Sequence, residues 1–206
     1  MIERGVKGLV PTIVNALCIE ARTVPGTWEQ VIRMLPLEGI STLADVGCGN
    51  ENPGRIIEEL GINCAYSDIE PFEQIENFTQ MNFNDGIAYS DASFDYAVSV
   101  DVIEHLESTR RFCRELKRIS RKGFIVTTPN PLSNRSIKLL KRTGYFEWFG
   151  KNEVAWHINP VFHHQMRVIA DEFHMDLEIS GNTCFWVDHD PLRNSEALIY
   201  KFSTKS

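Results

Sequence analysis

The sequence contains no apolar run of about 18 residues, the length a helix needs to cross a bilayer, so no membrane span is expected. Its opening residues, Met1-Ile2-Glu3-Arg4-Gly5-Val6-Lys7, lack the uninterrupted apolar stretch of a secretory leader. Cysteine is scarce and odd in number. Five scattered residues form neither a disulfide framework nor a zinc-binding spacing, and a reducing cytoplasm is the setting this predicts. Positive charge is in deficit, with 21 Lys and Arg against 28 Asp and Glu. The net charge of −7 gives no general attraction to a nucleic-acid backbone, although it leaves room for a local basic patch. Internal repeats and low-complexity segments are absent. What is there is a chain of 206 residues, 43% hydrophobic and 24% charged, in the range of globular proteins. That length supports one sizeable core and is short for two domains, so a single domain over 1–206 is expected.

The chain is organised around Leu43-Ala44-Asp45-Val46-Gly47-Cys48-Gly49-Asn50. Thr42 to Val46 reads as a short buried strand, apolar apart from Asp45. Two glycines follow at alternate positions, and then a helical stretch from Gly54 to Leu60. Strand, glycine turn and helix start together let a ligand lie against bare backbone. The next strand, Ile62 to Asp68, ends in an acid about 20 residues after the glycines, where a nucleotide-binding α/β unit holds a ribose. A dinucleotide site also wants a third glycine for close helix packing. Asn52 stands there instead, which argues against a nicotinamide cofactor.

Further on, Ser93-Phe94-Asp95-Tyr96-Ala97-Val98-Ser99-Val100-Asp101-Val102-Ile103-Glu104-His105-Leu106 reads as a central strand and the loop after it. Asp45-x-Gly47-x-Gly49, the acid Asp68 and this third motif, in order, resemble the class I S-adenosylmethionine-dependent methyltransferases. The resemblance is to small members of types 11 and 12 and to ubiquinone-pathway O-methyltransferases, and it covers roughly residues 40–130. It implies an α/β fold: a Rossmann-like, doubly wound sheet, mostly parallel with a final antiparallel strand, with helices on both faces. It also implies S-adenosylmethionine as cofactor and direct displacement of its methyl group onto O or N of a small-molecule acceptor.

The resemblance assigns roles residue by residue. Asp45 would accept from the cofactor's ammonium group, directly or through water. Gly47, Cys48 and Gly49 would let the backbone approach its methionine part. Asp68, with Ile69 beside it, would accept from the ribose hydroxyls; the plainer alternative for Asp68 is a turn residue before Pro71. Asn82 would meet the adenine amino group and Phe83 would lie by the ring, with Asn in place of the family's usual acid. Val100 and Asp101 would emerge at the carboxyl edge of the sheet. His105 is the candidate base, because imidazole titrates near pH 6.5, the alternative being a histidine that holds its loop. Asp101, Glu104 and His105 fall at i, i+3 and i+4, one face of a helical turn, a spacing open to a divalent metal. Similar runs occur in metal-using ubiquinone-pathway enzymes and small-RNA 3′-end methyltransferases, the latter with a further histidine, and also where no metal is used. His157, His163 and His164 are available for that further ligand.

The flanks read less sharply. Residues 1–38 form an expected N-terminal helical cap, with one helix over Leu9–Ala21 and a second capped by Thr27. Trp28, Val31, Ile32 and Leu35 recur there at helical spacing and should pack on the sheet; Arg22 and Trp28 are the alternatives for covering the cofactor. A short helix is expected over Phe72–Phe78, and a longer one capped by Ser108-Thr109 with Phe112, Leu116 and Ile119 inward. Phe124 to Thr128 should be the fifth strand. Residues 129–165 form an acceptor-side insertion, with a basic helix over 135–142 and the aromatics Tyr145, Phe146, Trp148, Phe149, Trp156 and Phe162. A helix over 165–173 and strands over 177–180 and 196–202 close the chain. Two other functions stay open: an RNA methyltransferase, metal-assisted at a 3′ end, that uses the basic helix on phosphate, and a non-catalytic cofactor-binding partner protein.

Overall fold

A computed structural model describes residues 24, 26–49, 55–147, 157–182 and 191–205. The expected helix over 9–21, Arg22, and the aromatics Trp148, Phe149 and Trp156 lie outside them. The strands are β1 (Thr42–Val46), β2 (Asn63–Asp68), β3 (Phe78–Gln80), β4 (Phe94–Ser99), β5 (Ser120–Pro129), β6 (Met175–Gly181) and β7 (Ala197–Thr204). They form one sheet in the order β3-β2-β1-β4-β5-β7-β6. The first five run parallel, and β7 is antiparallel to both of its neighbours. This is the doubly wound, mostly parallel sheet with a final antiparallel strand that the resemblance implies.

The period-2 geometry of a strand divides the apolar residues between two cores. Ala44, Val46, Ala97, Phe124, Val126, Tyr200 and Phe202 point to one face, where helices α3 (Thr109–Ile119) and α5 (His163–Phe173) cover them. Leu43, Tyr66, Tyr96, Val98, Ile125 and Ile199 point to the other, under α1 (Thr27–Met34) and α2 (Arg55–Glu58). Trp28, Val31, Ile32 and Leu35 are all buried there, so Trp28 serves the core. Gly26, not Thr27, is the N-cap of α1, and its left-handed backbone (φ 86°) starts the helix without a side-chain cap.

Three other expectations shift. Residues 72–78 make turns instead of a helix: Asn77 is left-handed (φ 57°) and Phe78 is drawn into β3, opposite Tyr66. Strand β5 extends beyond 124–128 on both sides, because β7 pairs with it from Gly123 to Pro129. Helix α5 starts at His163, two residues before the expected start. Ser108 does cap α3, accepting from the Arg111 amide at 3.2 Å. The basic helix is α4 (Asn134–Thr143), capped by Ser133 and closed by a left-handed Gly144. A short helix, α6 (Pro191–Asn194), precedes β7. At the amino edge, Asp95 accepts from the Ser41 and Thr42 amides and pairs with Arg121 and Lys122, fastening β4 to β1 and β5.

Candidate functional site

Strands β1, β2 and β4 end together at the carboxyl edge, where open α/β sheets bind ligands. After Val46 the chain turns through Gly47 and Gly49, both left-handed at φ 89° and 63°. Gly47 is dictated by a close approach, since a Cβ there would lie 2.1 Å from Val102 Cγ2. At Gly49 a Cβ would meet nothing within 4 Å among the described residues, so these leave open space on that side of the turn. The turn is clamped to β2. The Gly47 and Cys48 amides donate to the Ser67 carbonyl at 2.7 and 3.0 Å, and the Gly49 amide donates to Asp68 Oδ2 at 2.9 Å. Asp68 Oδ1 accepts from the Glu70 amide at 3.2 Å, which makes Asp68 a turn residue as well as the acid beside the glycines. Each of its oxygens keeps a second lone pair for another donor.

Asp45 sits one residue before the end of β1 with its side chain fully buried, and neither carboxylate oxygen has a hydrogen-bond partner among the described residues. Burial, and then the charge of Asp68, push this carboxyl up to about 8. An orphaned buried acid is costly in a protein, and a cation arriving above it relieves the cost. An open glycine turn over an unpartnered acid therefore fits a ligand that carries an ammonium group. Cys48 and Val100 are buried beside this turn, whereas Ile69 is 54% exposed. Burial, followed by Asp45 and Asp68, raises the Cys48 thiol and keeps it protonated.

The remaining expected residues are placed less uniformly. Asn82 is exposed, and its side-chain carbonyl accepts from the Asn84 amide at 3.1 Å. Phe83 is buried, its ring 5.9 Å from that of Phe112. Asp101 adopts a left-handed backbone (φ 53°). Its amide donates to Thr127 Oγ1 at 2.9 Å, and the Thr127 hydroxyl donates to Asp101 Oδ1 at 2.7 Å. Burial raises the Asp101 carboxyl, and the Thr127 bond offsets part of that rise.

This local geometry corrects the expected ligand face. Residues Ile103–His105 form a tight 3₁₀ turn, not an α-helical one, and Asp101 is turned onto Thr127. The group that does assemble is Glu104, His105 and His157, whose ligating atoms all lie within 4.8 Å of one another. Glu104 is fully buried, with both carboxylate oxygens lacking a well-aligned partner among the described residues. Its carboxyl is raised well above the ordinary range by burial and then by Asp101, with its own amide and the Thr128 hydroxyl as smaller counterweights. His157 Nε2 stands 3.9 Å from Glu104 Oε1, and the His105 and His157 rings meet edge-to-face at 4.5 Å. The Ile158 and Asn159 amides both donate to the Glu104 carbonyl at 3.0 Å, which brings His157 to the loop after β4. Of the other two histidines, His163 Nδ1 pairs with the Tyr200 hydroxyl at 3.0 Å, and His164 is exposed. Sequence reasoning missed two roles: Thr127, on β5, which holds Asp101, and Val102, inside the third motif, whose side chain requires a glycine at 47.

Among known proteins, the family model for the methyltransferase domain of type 11 matches residues 44–127. Solved structures share the fold at low identity. A Haloferax volcanii protein described as a methyltransferase, in complex with the Trm112 methyltransferase activator, superposes with a TM-score of 0.65 at 12% identity, covering 100% of this chain and 97% of that one. An S-adenosylmethionine-dependent methyltransferase from Archaeoglobus fulgidus gives 0.61 at 15% identity, over 85% and 91% of the two chains. One from Mesorhizobium loti gives 0.62 at 15% identity, over 86% and 97%.

Proposed function

We propose that this chain is a class I S-adenosylmethionine-dependent methyltransferase of type 11, whose cofactor cradle and acceptor seat both lie along the carboxyl edge of the sheet, with a small molecule taking the methyl group on oxygen or nitrogen. When bound, the cofactor supplies a methyl group activated on a sulfonium for direct displacement. The chain's own residues bind it, orient the acceptor and keep water out. Asp45 accepts from the ammonium group, directly or through water. The open side of Gly49 admits the methionine part, with Gly47 and Cys48 shaping the turn. Asp68 accepts from the ribose hydroxyls with its remaining lone pairs. Exposed Ile69 is the apolar surface offered to the adenine ring, the task expected of Phe83, and Asn82 meets the adenine amino group. Val100 and Asp101 form the wall after β4, and His105 is the side chain that meets the acceptor.

The observation that carries this reading is the fully buried, unpartnered carboxylate of Asp45 beneath the open glycine turn. Calorimetric titration of S-adenosylhomocysteine into the wild type and Asp68→Ala tests it. Micromolar binding that weakens at least tenfold in the variant is expected; no saturable binding to the wild type would overturn the reading, and equal binding in both would remove Asp68 from the site.

One specific observation favours a second reading of the acceptor side, metal-assisted transfer to a hydroxyl on a small molecule or at the 3′ end of an RNA. Glu104, His105 and His157 offer one carboxylate and two imidazoles, a donor set that suits manganese or zinc. An ion held there would polarise an acceptor oxygen. Titration of the protein with manganese and zinc chlorides separates the readings. Saturable binding lost in Glu104→Gln supports the metal, and no heat above that of buffer, with transfer indifferent to chelator, removes it.

A further inference from the structure

We propose that a groove beside α4 holds an anionic group of the methyl acceptor, a phosphate or a carboxylate. The inference deepens the reading of this edge as the acceptor side and rests on that reading for the ligand's identity, not for anion binding itself. A cavity of about 690 Å³ opens between α4 and the segment 193–196. That volume suits a small ligand or a substantial part of one.

The walls stand at the right place in the fold. Helix α4 follows the end of β5, and the facing segment leads into β7, whose first residue, Ala197, pairs with Pro129 at the end of β5. Because β7 runs antiparallel, its start lies at the same carboxyl edge as the glycine turn after β1 and the loop after β4. The two walls are also tied together. Buried Asn130 donates to the Leu192 and Ser195 carbonyls at 2.6 and 2.8 Å, and Asn134 donates to the Asn194 side chain at 2.8 Å. Ser133 caps α4, and the Ser136 hydroxyl accepts from the Glu147 amide at 3.0 Å. The groove is thus built before any ligand arrives, which lowers the ordering cost of binding.

Its chemistry is cationic on a chain that is acidic overall. Arg135, Lys138 and Arg142 fall at i, i+3 and i+7 on one face of α4, and Arg193 faces them. The two acids of the lining, Glu147 and Glu196, are both engaged by Arg135. Lys138 and Arg142 have no acidic partner among the described residues, so these two cations remain for an incoming anion. Among the described residues of the lining, Leu139 is the one apolar side chain, and the rest are polar or charged. Guanidinium and ammonium groups around a polar cleft recognise phosphate and carboxylate oxygens through charge-assisted hydrogen bonds. The two acids in the wall and the net charge of −7 disfavour a long polynucleotide track, which needs a continuous basic surface.

The probe is inorganic pyrophosphate, with citrate as the carboxylate arm, titrated calorimetrically at low ionic strength into the full chain and into the double charge reversal Lys138→Glu, Arg142→Glu. Saturable binding of at least one probe, weakened tenfold or more in the variant at unchanged melting temperature, is expected; the tighter probe identifies the anion class. Lys138→Ala with Arg142→Ala repeats the comparison if the reversal perturbs folding. No saturable binding, or equal binding in wild type and both variants, overturns the groove. A short single-stranded RNA that binds more tightly than either probe, through the same two residues, overturns the small acceptor as its occupant. S-adenosylhomocysteine is titrated in parallel. Its failure to bind the wild type while pyrophosphate binds would count against the methyltransferase site, and the reverse result against the groove alone.

Discussion

Replacing Asp45 with asparagine should make the protein more stable and its cofactor site worse, and the size of the first effect should depend on pH. Asp45 is fully buried, has no hydrogen-bond partner among the described residues, and has its carboxyl pushed up to about 8, chiefly by burial. In the unfolded chain the same group ionises near 3.8. Between these values the folded protein holds a proton that the unfolded chain releases, so stability falls as pH rises through that window. From pH 4 to pH 7 the loss is roughly three pH units at about 1.4 kcal/mol each, about 4 kcal/mol in all. Asparagine does not titrate and is nearly the same shape. The stability difference between variant and wild type should therefore grow by about 4 kcal/mol over that range, which for a domain of this length is about 8–16 °C in melting temperature. Binding should move the other way. Loss of a charge-assisted contact to an ammonium group costs about 2–3 kcal/mol, or 30- to 150-fold in affinity for S-adenosylhomocysteine. Thermal unfolding at pH 4, 5, 6 and 7, alongside calorimetry at pH 7, measures both. A variant less stable than the wild type at every pH, or one that binds as tightly as the wild type, would refute the reasoning.

The two glycines of the turn should fail differently. Gly47→Ala places a methyl group 2.1 Å from Val102 Cγ2 at φ 89° and should cost about 3 kcal/mol of stability, partly recovered in a double variant with Val102→Ala; chemical denaturation checks this. Gly49→Ala meets open space, so it should cost only about 1 kcal/mol while weakening S-adenosylhomocysteine binding at least tenfold by calorimetry. At the amino edge, hydrogen bonds from Ser41 and the basic groups of Arg121 and Lys122 hold the Asp95 carboxyl below the ordinary range, against its burial. Its contribution is present above the unfolded value of 3.8 and is lost as pH falls toward the lowered folded value. Asp95→Ala should thus cost about 2 kcal/mol at pH 7 and progressively less below pH 3.8, as read from urea unfolding at several pH values.

The parts of the site that could be read beforehand are those written in short stretches of chain. The apolar run 42–46, the glycine pair and the acid at 68 form a local pattern, and the strand ends lie where that pattern puts them. The same holds for the central strand and the helix capped by Ser108. The misreadings arose where distant residues decide local geometry. Asp101, Glu104 and His105 look like one face of an α-helical turn. Thr127, 26 residues away, instead holds Asp101 in a left-handed conformation, and the turn is 3₁₀. His157 reaches Glu104 only because the amides that follow it bind the Glu104 carbonyl. The groove beside α4 was half visible as a basic helix. Its second wall lies about 60 residues on and is brought there by Asn130, whose side chain carries no motif signal.

The reading of the site stands or falls on whether the glycine turn after β1 holds S-adenosylmethionine and not a nicotinamide dinucleotide. Titration of S-adenosylhomocysteine and of NADH into the same preparation, by calorimetry at pH 7, tests it most directly. Micromolar, one-to-one binding of S-adenosylhomocysteine and no saturable heat from NADH are expected. Binding of NADH alone, or of neither ligand, would contradict it.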